Sequence, residues 1–196
     1  RLGWSHGDQE IFSIDDMIKD FDLAHVSRSA AAFDYDKLRW LNQHYLKTLA
    51  WEDSLDEWLW QMHHQGLDIH QGPSWQKLQA LQASRHKTLK ELVIDSAYFY
   101  QDLSLNTSEL KPFRCAGLDA AIADLIKRLA ELETQDWQAP LLMSIVKETA
   151  QKHDLKMPQL GQPLRIILTG SLNAPSLDGI LELLGVEKTL KRLAAY

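Results

Sequence analysis

Apolar residues recur at helical spacing through most of this chain. From Trp51 onward they return every three or four positions, the interval that places side chains on one face of an α-helix. The clearest case is a stripe with steps of four, three, four and three residues, formed by Leu118, Ile122, Leu125, Leu129 and Leu132. No pair of strands with turn residues between them is found after residue 13. The pattern predicts an all-α fold with more than half of the residues in helices.

Capping residues and helix breakers divide this pattern into separate helices. Ser13 precedes two aspartates and predicts a helix over 14–21, while Asp34 or Asp36 is expected to cap a helix that reaches about Leu49. Three later boundaries, a glycine after a helix, a serine N-cap and a first-turn proline, are predicted at Gly66, Ser74 and Pro140.

The pattern also assigns inner faces and connections in the C-terminal half. The residues expected to lie inside the helix that Pro140 begins are Leu141, Ile145, Val146 and Thr149. The segment from Lys156 to Gly161 is expected to be a linker, because it contains Pro158 and ends on glycine.

One arginine lies inside an otherwise apolar decade near the C-terminus. Residues 162–171 read QPLRIILTGS, and a turn with Pro175 leads into a Leu-rich helix that Gly185 is expected to stop. If its neighbours lie in a core, Arg165 is held rigidly at the edge of that core, where its five donors suit a base edge or a phosphate. The alternative is an ordinary amphipathic helix in which Arg165 caps the carbonyls of a neighbour, and the period alone favours this alternative.

A basic segment, Ser84-Arg85-His86-Lys87, separates two predicted helices. A polar turn between helices is a suitable place for a solvent-facing contact residue. Cations that interact favourably with a helix C-terminus are the simpler interpretation of the same residues.

Two other groups of side chains could have a function, but a structural role is favoured for both. The aromatic cluster Tyr98-Phe99-Tyr100 could stack on unpaired bases, although such a run is more typical of a core. His63, His64 and His70 do not indicate a metal site, because neighbouring histidines point to different faces of a helix and no cysteines or carboxylates stand at ligand spacing. No metal is therefore expected.

Composition and charge exclude several classes of protein. The one cysteine, Cys115, excludes an internal disulfide and a Cys-based zinc site, and no apolar run has the length of about 20 residues that a membrane span needs. The net charge of −6 argues against a strongly basic nucleic-acid footprint, yet residues 147–196 carry seven Lys and Arg against five Asp and Glu. An acidic protein that contacts RNA through a local basic patch fits this distribution, and so does a plain acidic cytosolic protein.

Motifs for catalysis are absent from the 196 residues. The sequence contains no phosphate-binding G-x-x-x-x-G-K-[ST] loop, no G-x-G-x-x-G and no H-E-x-x-H. Thr169-Gly170-Ser171 does not match the G-x-S-x-G nucleophile motif.

Three segments, in order, resemble the bacterial glutamyl-tRNA synthetases. They are RLGWSHGDQEIFS at the N-terminus, FDYDKLRWLNQHY at 33–45, and QPLR…LTGS…P.L..IL.LLG from residue 162, with a weaker match at RHKTLKE from Arg85. The resemblance implies the tRNA-binding half of a glutamate–tRNA ligase. The ATP-binding signatures of that family, of the HIGH and KMSKS types, are absent here and lie upstream in its members. The chain is therefore expected to be part of a longer cytoplasmic protein and inactive by itself.

The resemblance also implies an organisation into three parts. Residues 1–49 are expected to be the end of a stem-contact segment, followed by two helical anticodon-binding subdomains at 50–104 and 105–196 that together form a helix cage. Lys37, Arg39 and Lys47 in the first part, and Lys191 and Arg192 near the C-terminus, are candidates for contacts to the tRNA backbone. A solvated charged face is the simpler interpretation of any one of the first three, and the last two are expected to face solvent or RNA.

For the anticodon, the resemblance assigns Arg85 to the third base and Arg165 to the middle base. Ala174, Pro175 and Leu177 occupy the anticodon-pocket positions of the family. Many members have threonine where Ala174 stands, so a backbone contact is expected there in place of a hydroxyl contact.

The implied partner is the tRNA for glutamate, bound by a monomer, with no role for DNA or a membrane. ATP and Mg²⁺ are expected to act in the parent enzyme, and no cofactor is expected in these residues. A helical protein-interaction scaffold without an RNA role is the alternative. It predicts tryptophans that are exposed together in a patch.

Overall fold

The computed structural model describes residues 3–28, 32–104 and 107–196, with the backbone alone at Thr107. Across these residues the secondary structure is helical and contains no strand, which confirms the predicted all-α fold. The α-helices are α1 (Ile14–Asp20), α2 (Tyr35–Thr48), α3 (Leu55–His64), α4 (Trp75–Gln82), α5 (Leu89–Asp95), α6 (Thr107–Leu110), α7 (Leu118–Ala130), α8 (Ala139–Lys152), α9 (Met157–Thr169) and α10 (Leu177–Ala194). Short 3₁₀ helices lie between them, at Leu23–His25, Trp51–Ser54, Ile69–Gln71, Ala83–Arg85, Ala97–Phe99, Lys111–Phe113 and Thr134–Asp136.

The predicted helix caps are present at the N-terminal end of the chain. The Ser13 side chain accepts the Asp16 N–H at the start of α1, and Asp34 accepts the Lys37 N–H at the start of α2. Among the described residues up to 49, Leu46 is the one that is buried. This segment therefore contributes little to the core, apart from the C-terminal half of α2.

Aromatic side chains dominate the core between α3 and α5. Trp58 and Trp75 stack with their ring centroids 5.7 Å apart, and the Trp75 Nε1–H donates to Ser54 Oγ at 2.9 Å. Tyr98, Phe99 and Tyr100 are all buried, as the core interpretation of that run predicts.

The C-terminal helices α7 to α10 form the second part of the core. The predicted stripe on α7 is buried at Leu118, Ile122, Leu125 and Leu129. The Trp137 Nε1–H donates to the Leu181 carbonyl at 2.8 Å and so joins the segment before α8 to α10.

The two groups of helices share one continuous cluster of buried apolar residues. At their junction α10 lies against α4 so closely that a Cβ at Gly179 would come 2.5 Å from Leu81 Cδ1. The Lys188 ammonium donates to main-chain carbonyls of the first group, at Gln71 and Phe99. The subdomain boundary predicted between residues 104 and 105 adjoins positions 105 and 106, which lie outside the described residues. The first two residues of the RLGW motif also lie outside them.

Two details of the predicted helices are wrong. Leu141 is exposed, because Leu142 is the residue of that turn that shares the inner face of α8 with Ile145, Val146 and Thr149, which are buried as predicted. The predicted linker from Lys156 is the first part of α9, which also contains Pro163. Gly185, with φ of +74° and ψ of 175°, ends the first helical segment of α10 as predicted, and a second helical segment follows it to Ala194.

Among the residues that the structure describes, none of the helices combines the length and the apolar character that crossing a membrane requires.

Candidate functional site

The two predicted anticodon arginines meet at one loop. This interhelix loop, residues 171–176, connects α9 to α10. Arg165 on α9 and Arg85, in the 3₁₀ turn Ala83–Arg85 after α4, both donate hydrogen bonds to residues of the loop. The fold thus brings together two side chains that are 80 positions apart in the sequence.

A glycine directly before the interhelix loop fixes the direction in which the chain leaves α9. Gly170 ends α9 with φ of +75°, the left-handed conformation that glycine adopts most easily, and its N–H donates to the Ile166 carbonyl at 2.8 Å. A Cβ at this position would lie 3.1 Å from Leu103 Cδ1. The hydroxyl of Thr169 accepts the Ser171 N–H at 3.2 Å, so the first residue of the loop is held as well.

Arg165 is half-buried and holds the other end of the loop. Its Nη1 group donates to the Ala174 carbonyl at 2.9 Å and to the Pro175 carbonyl. In this conformation Arg165 caps the carbonyls of a neighbouring segment, which is the alternative role that the helical period favours. The same contacts place a guanidinium at the edge of the core beside the loop.

Arg85 is exposed, and its backbone position depends on α2. The turn that carries it is held by hydrogen bonds from two α2 side chains, Gln43 to the Ser84 carbonyl at 3.2 Å and Asn42 to the Lys87 carbonyl at 2.6 Å. From this turn the Arg85 Nη2 group donates to Asn173 Oδ1 in the interhelix loop at 2.9 Å.

A capping box begins the helix that follows Arg85. Thr88 Oγ1 accepts the Glu91 N–H at 3.1 Å, and Glu91 accepts the Thr88 N–H at 3.2 Å. Arg39 of α2 forms an ion pair with the same glutamate. The ion pair adds a further contact between α2 and the region of Arg85.

Positive charge is concentrated around the buried side chain of Tyr98. The cations that act electrostatically on its hydroxyl are Arg85, Arg192 and Arg165, against one carboxylate, that of Asp95. Burial raises the pKa of the Tyr98 hydroxyl above its usual range despite these cations. The hydroxyl has no hydrogen-bond partner among the described residues. Three guanidinium groups and one carboxylate therefore act on this hydroxyl, although the chain as a whole carries a net charge of −6.

The three predicted pocket residues lie where the interhelix loop leads into α10. Ala174, Pro175 and Leu177 are all buried. A cleft of about 370 Å³ opens beside them between α4 and α10, lined in part by Lys77, Leu81, Ser176, Asp178 and Glu182. The carbonyls of Ala174 and Pro175 accept from Arg165, which defines the backbone conformation at these positions.

Arg192 corrects an expectation from the sequence. Its side chain is buried and does not face solvent, because the guanidinium donates to the main-chain carbonyls of Leu168, Tyr98 and Gln101. The position joins α10 to the loop-side end of α9 and to the aromatic run, so its role here is structural.

The other four candidate cations for the tRNA backbone lie apart from the interhelix loop. Lys37 donates to Glu10 at 2.6 Å, Arg39 pairs with Glu91, and Lys191 donates to Asp102 at 2.8 Å. Lys47, at the end of α2, lines a groove with Gln79 and Ser84. Lys191 and Asp102 are both largely exposed, which makes this pair easy for another ligand to replace.

The tryptophans do not form the exposed patch that a protein-interaction scaffold predicts. Trp58, Trp75 and Trp137 are buried, while Trp40 and Trp60 are exposed on two different helices, α2 and α3. Within residues 3–28, 32–104 and 107–196, no three or more His, Cys, Asp and Glu side chains are grouped so that they could hold a metal ion.

Sequence reasoning missed Asn173, which accepts from Arg85. The only signal at this position is a short polar residue in the turn Ser-Leu-Asn-Ala-Pro, and such residues are common in any turn. It also missed Asn42 and Gln43, because an amide side chain on a helix surface gives no indication of a partner more than 40 positions away.

Comparisons with known proteins give a consistent result. A family model described as an anticodon binding domain matches residues 38–196. The chain is 44% identical over 194 residues to a glutamate–tRNA ligase of Coxiella burnetii and 45% identical over 195 residues to one of Francisella philomiragia, in each case over 98% of this chain. It spans 41% and 42% of the length of these two relatives.

Solved structures show the same likeness. A crystal structure of a glutamate tRNA ligase from Elizabethkingia meningosepticum, in complex with its amino acid, matches with a TM-score of 0.86 at 28% identity and covers 99% of this chain and 38% of that chain. A glutamate-tRNA synthetase from Elizabethkingia anophelis matches with a TM-score of 0.81 at 27% identity over the same shares of the two chains.

Proposed function

Because the chain belongs to the anticodon-binding domain family, we propose that it is the tRNA-recognising part of a glutamate–tRNA ligase. It binds the tRNA for glutamate as a cytoplasmic monomer and contributes recognition of the anticodon. Attachment of glutamate to the tRNA, with ATP and Mg²⁺, belongs to the parent enzyme. The ATP-binding signatures of class I synthetases are absent from these 196 residues, so the chain by itself forms no glutamyl-tRNA.

The observation that carries this proposal is the convergence of Arg85 and Arg165 on the interhelix loop. Unpaired bases of an RNA loop can be splayed out and read on their hydrogen-bonding edges, which is how proteins usually obtain sequence specificity for RNA. Two guanidinium groups held beside one loop provide donors for two neighbouring bases.

In this proposal Arg85 reads the third anticodon base, and Arg165 reads the middle one. The tRNAs for glutamate carry C at the third position and those for glutamine carry G. A guanidinium has only donors, which match the O2 and N3 acceptors of an extruded cytosine. The pairing edge of guanine presents donors at N1 and N2, so the same side chain disfavours the tRNA for glutamine.

The buried end of the loop forms the rest of the anticodon site. Ala174, Pro175 and Leu177 shape the surface on which the bases lie, and the contact at Ala174 is made by the backbone. Lys37, Arg39, Lys47 and Lys191 are the candidates for the tRNA backbone. Lys37, Arg39 and Lys191 each exchange a carboxylate partner for a phosphate. Arg192 is not among them, because it is buried.

Direct binding of RNA tests this function. The chain is titrated into a labelled anticodon stem-loop hairpin of the glutamate tRNA and into a hairpin with the same stem but an unrelated anticodon. We expect tighter binding of the glutamate hairpin, with affinity for both falling as salt rises. Absence of binding in moderate salt, or equal affinity for the two hairpins, would contradict the proposal.

A further inference from the structure

The interhelix loop is fixed at both ends, and this makes it a rigid support for what lies between. Gly170 and the Thr169 hydroxyl hold the start of the loop, while Arg165 holds the carbonyls of Ala174 and Pro175. Within the loop, the hydroxyl of Ser171 accepts the backbone N–H of Asn173 at 3.1 Å. The backbone of Asn173 is thus ordered by contacts on its own side of the molecule.

The side chain of Asn173 crosses to the other group of helices. Its Oδ1 accepts from the Arg85 Nη2 group at 2.9 Å, over a separation of 88 positions in the sequence. Chemistry fixes the orientation of this amide, because the amide nitrogen has only donors and could not accept from a guanidinium. The bond therefore requires an acceptor at this position of the loop.

Arg85 depends on this acceptor for the direction of its guanidinium. The contacts from Asn42 and Gln43 hold the backbone of its turn, but the side chain itself is exposed and has many rotatable bonds. A flexible side chain loses conformational freedom when it binds a base, and orienting it beforehand reduces that cost. The bond to Asn173 uses one of the five N–H donors of the guanidinium.

We propose that Asn173 is a positioning residue for base recognition: it orients Arg85 toward the third anticodon base and relates its direction to that of Arg165 through one rigid loop. This inference rests on the proposed function and adds to it a residue that determines specificity without contacting the base. The loop then acts as a common support for both arginines, since Arg165 donates to the two residues that follow Asn173.

Two hairpins that differ at one base test the inference. Both carry the glutamate anticodon stem-loop, one with C and one with G at the third anticodon position, and the readout is the ratio of their dissociation constants for the 196-residue chain. In Asn173→Ala we expect the preference for C to fall about fivefold or more, on the scale of one base contact, mainly through weaker binding of the C hairpin. Leu172→Ala, an exposed neighbour on the same loop, is the matched control and should keep the wild-type ratio.

A conservative variant separates positioning from loss of loop structure. Asn173→Asp keeps an acceptor with nearly the same shape, so the C preference should be retained, while its added negative charge weakens both hairpins alike. Each variant is tested after its circular dichroism spectrum is shown to match that of the wild type. An unchanged ratio in Asn173→Ala, or an equal loss of preference in Asn173→Asp, overturns the role of Asn173. A wild-type chain that binds both hairpins equally would instead overturn the proposed function itself, and this inference with it.

Discussion

At the scale of single residues, neighbours in the sequence can have opposite roles. Lys191 and Arg192 are both cations in the last turn of α10, where positive charge interacts favourably with the helix dipole. In the structure Lys191 is exposed and pairs with Asp102, while Arg192 is buried and donates to three carbonyls. The sequence could not distinguish them, because the acceptors of Arg192 lie on segments that are 24 and more than 90 positions away.

This difference predicts unequal effects on stability. Arg192→Ala leaves three main-chain carbonyls without their donor, and hydrogen bonds to a charged group contribute about 1.5–3 kcal/mol each. We expect the free energy of unfolding in urea to fall by about 3 kcal/mol or more. Lys191→Ala removes an exposed ion pair and should cost no more than about 1 kcal/mol. Equal losses in the two variants would show that the carbonyl contacts of Arg192 contribute little.

At the scale of elements, the junction between α4 and α10 determines how the two groups of helices meet. Gly179 lies in the first turn of α10 against Leu81, and the absence of a Cβ permits this approach. Both helices also contribute residues to the cleft beside the interhelix loop. A change at this contact therefore alters the packing behind the candidate site.

A double-mutant cycle at Gly179 and Leu81 measures how strongly the close contact between α4 and α10 couples these two positions. Alanine is favoured over glycine inside a helix by about 1 kcal/mol, so Gly179→Ala should stabilise the chain by roughly that amount when Leu81→Ala has removed the obstructing methyl groups. With Leu81 in place, the new Cβ forces the leucine to move, and the gain should be lost or reversed. The measurement is the free energy of unfolding of the four proteins in urea. Additive effects would contradict the close packing of α4 and α10.

The contact between α7 and α8 predicts a dependence of stability on pH. The Lys152 ammonium donates to Asp124 at 3.0 Å and His153 Nε2 lies 3.2 Å from the same carboxylate, and these contacts hold the pKa of the Asp124 carboxyl below its usual value of 3.8. A lowered pKa in the folded state stabilises the protein above the pKa of the unfolded chain, and the benefit is lost as pH falls through the folded value.

Asp124→Asn tests this linkage. We expect the substitution to lower the free energy of unfolding near neutral pH by at most about 1 kcal/mol, because Lys152 is largely exposed and solvent screens its attraction to Asp124. The difference from the wild type should shrink as the pH falls from about 4 through the lowered pKa of the folded Asp124 carboxyl, because the wild-type carboxyl is protonated at the end of that range. A difference that is the same at neutral and acidic pH would show that the charge of Asp124 contributes nothing.

At the scale of the whole molecule, local patterns predicted the helices well and their tertiary relations poorly. The caps at Ser13 and Asp34 and the α7 stripe were predicted from a few residues each, because their causes are local. The prediction of a linker at the start of α9 was wrong, because Pro158, Gly161 and Pro163 all disfavour a helix interior and hid the helix. The first proline stands in the first turn, where its missing N–H has no intrahelical partner to lose. Burial of Leu160 and Leu164 then offsets the unfavourable propensities of the rest.

The candidate site shows the same division between local and distant causes. Arg165 was singled out as a basic residue in an apolar run, and the family resemblance assigned it and Arg85 to the anticodon. The match of the anticodon-binding family model confirms that resemblance. Their meeting at the interhelix loop could not be predicted, because it depends on how α4, α9 and α10 pack. The particular roles of these arginines toward bases stay predictions.

The measurement that tests the central claim most directly compares Arg85→Gln with the wild-type chain on the two hairpins that carry C or G at the third anticodon position. Loss of one good base contact costs about 1–3 kcal/mol on the scale known from DNA, so the preference for C should narrow by about tenfold. Lys191→Ala is the control and should change both affinities alike, because a phosphate contact carries no base specificity. If Arg85→Gln leaves the ratio of the two dissociation constants at its wild-type value, Arg85 does not read the anticodon, and its bond to Asn173 only joins two parts of the fold.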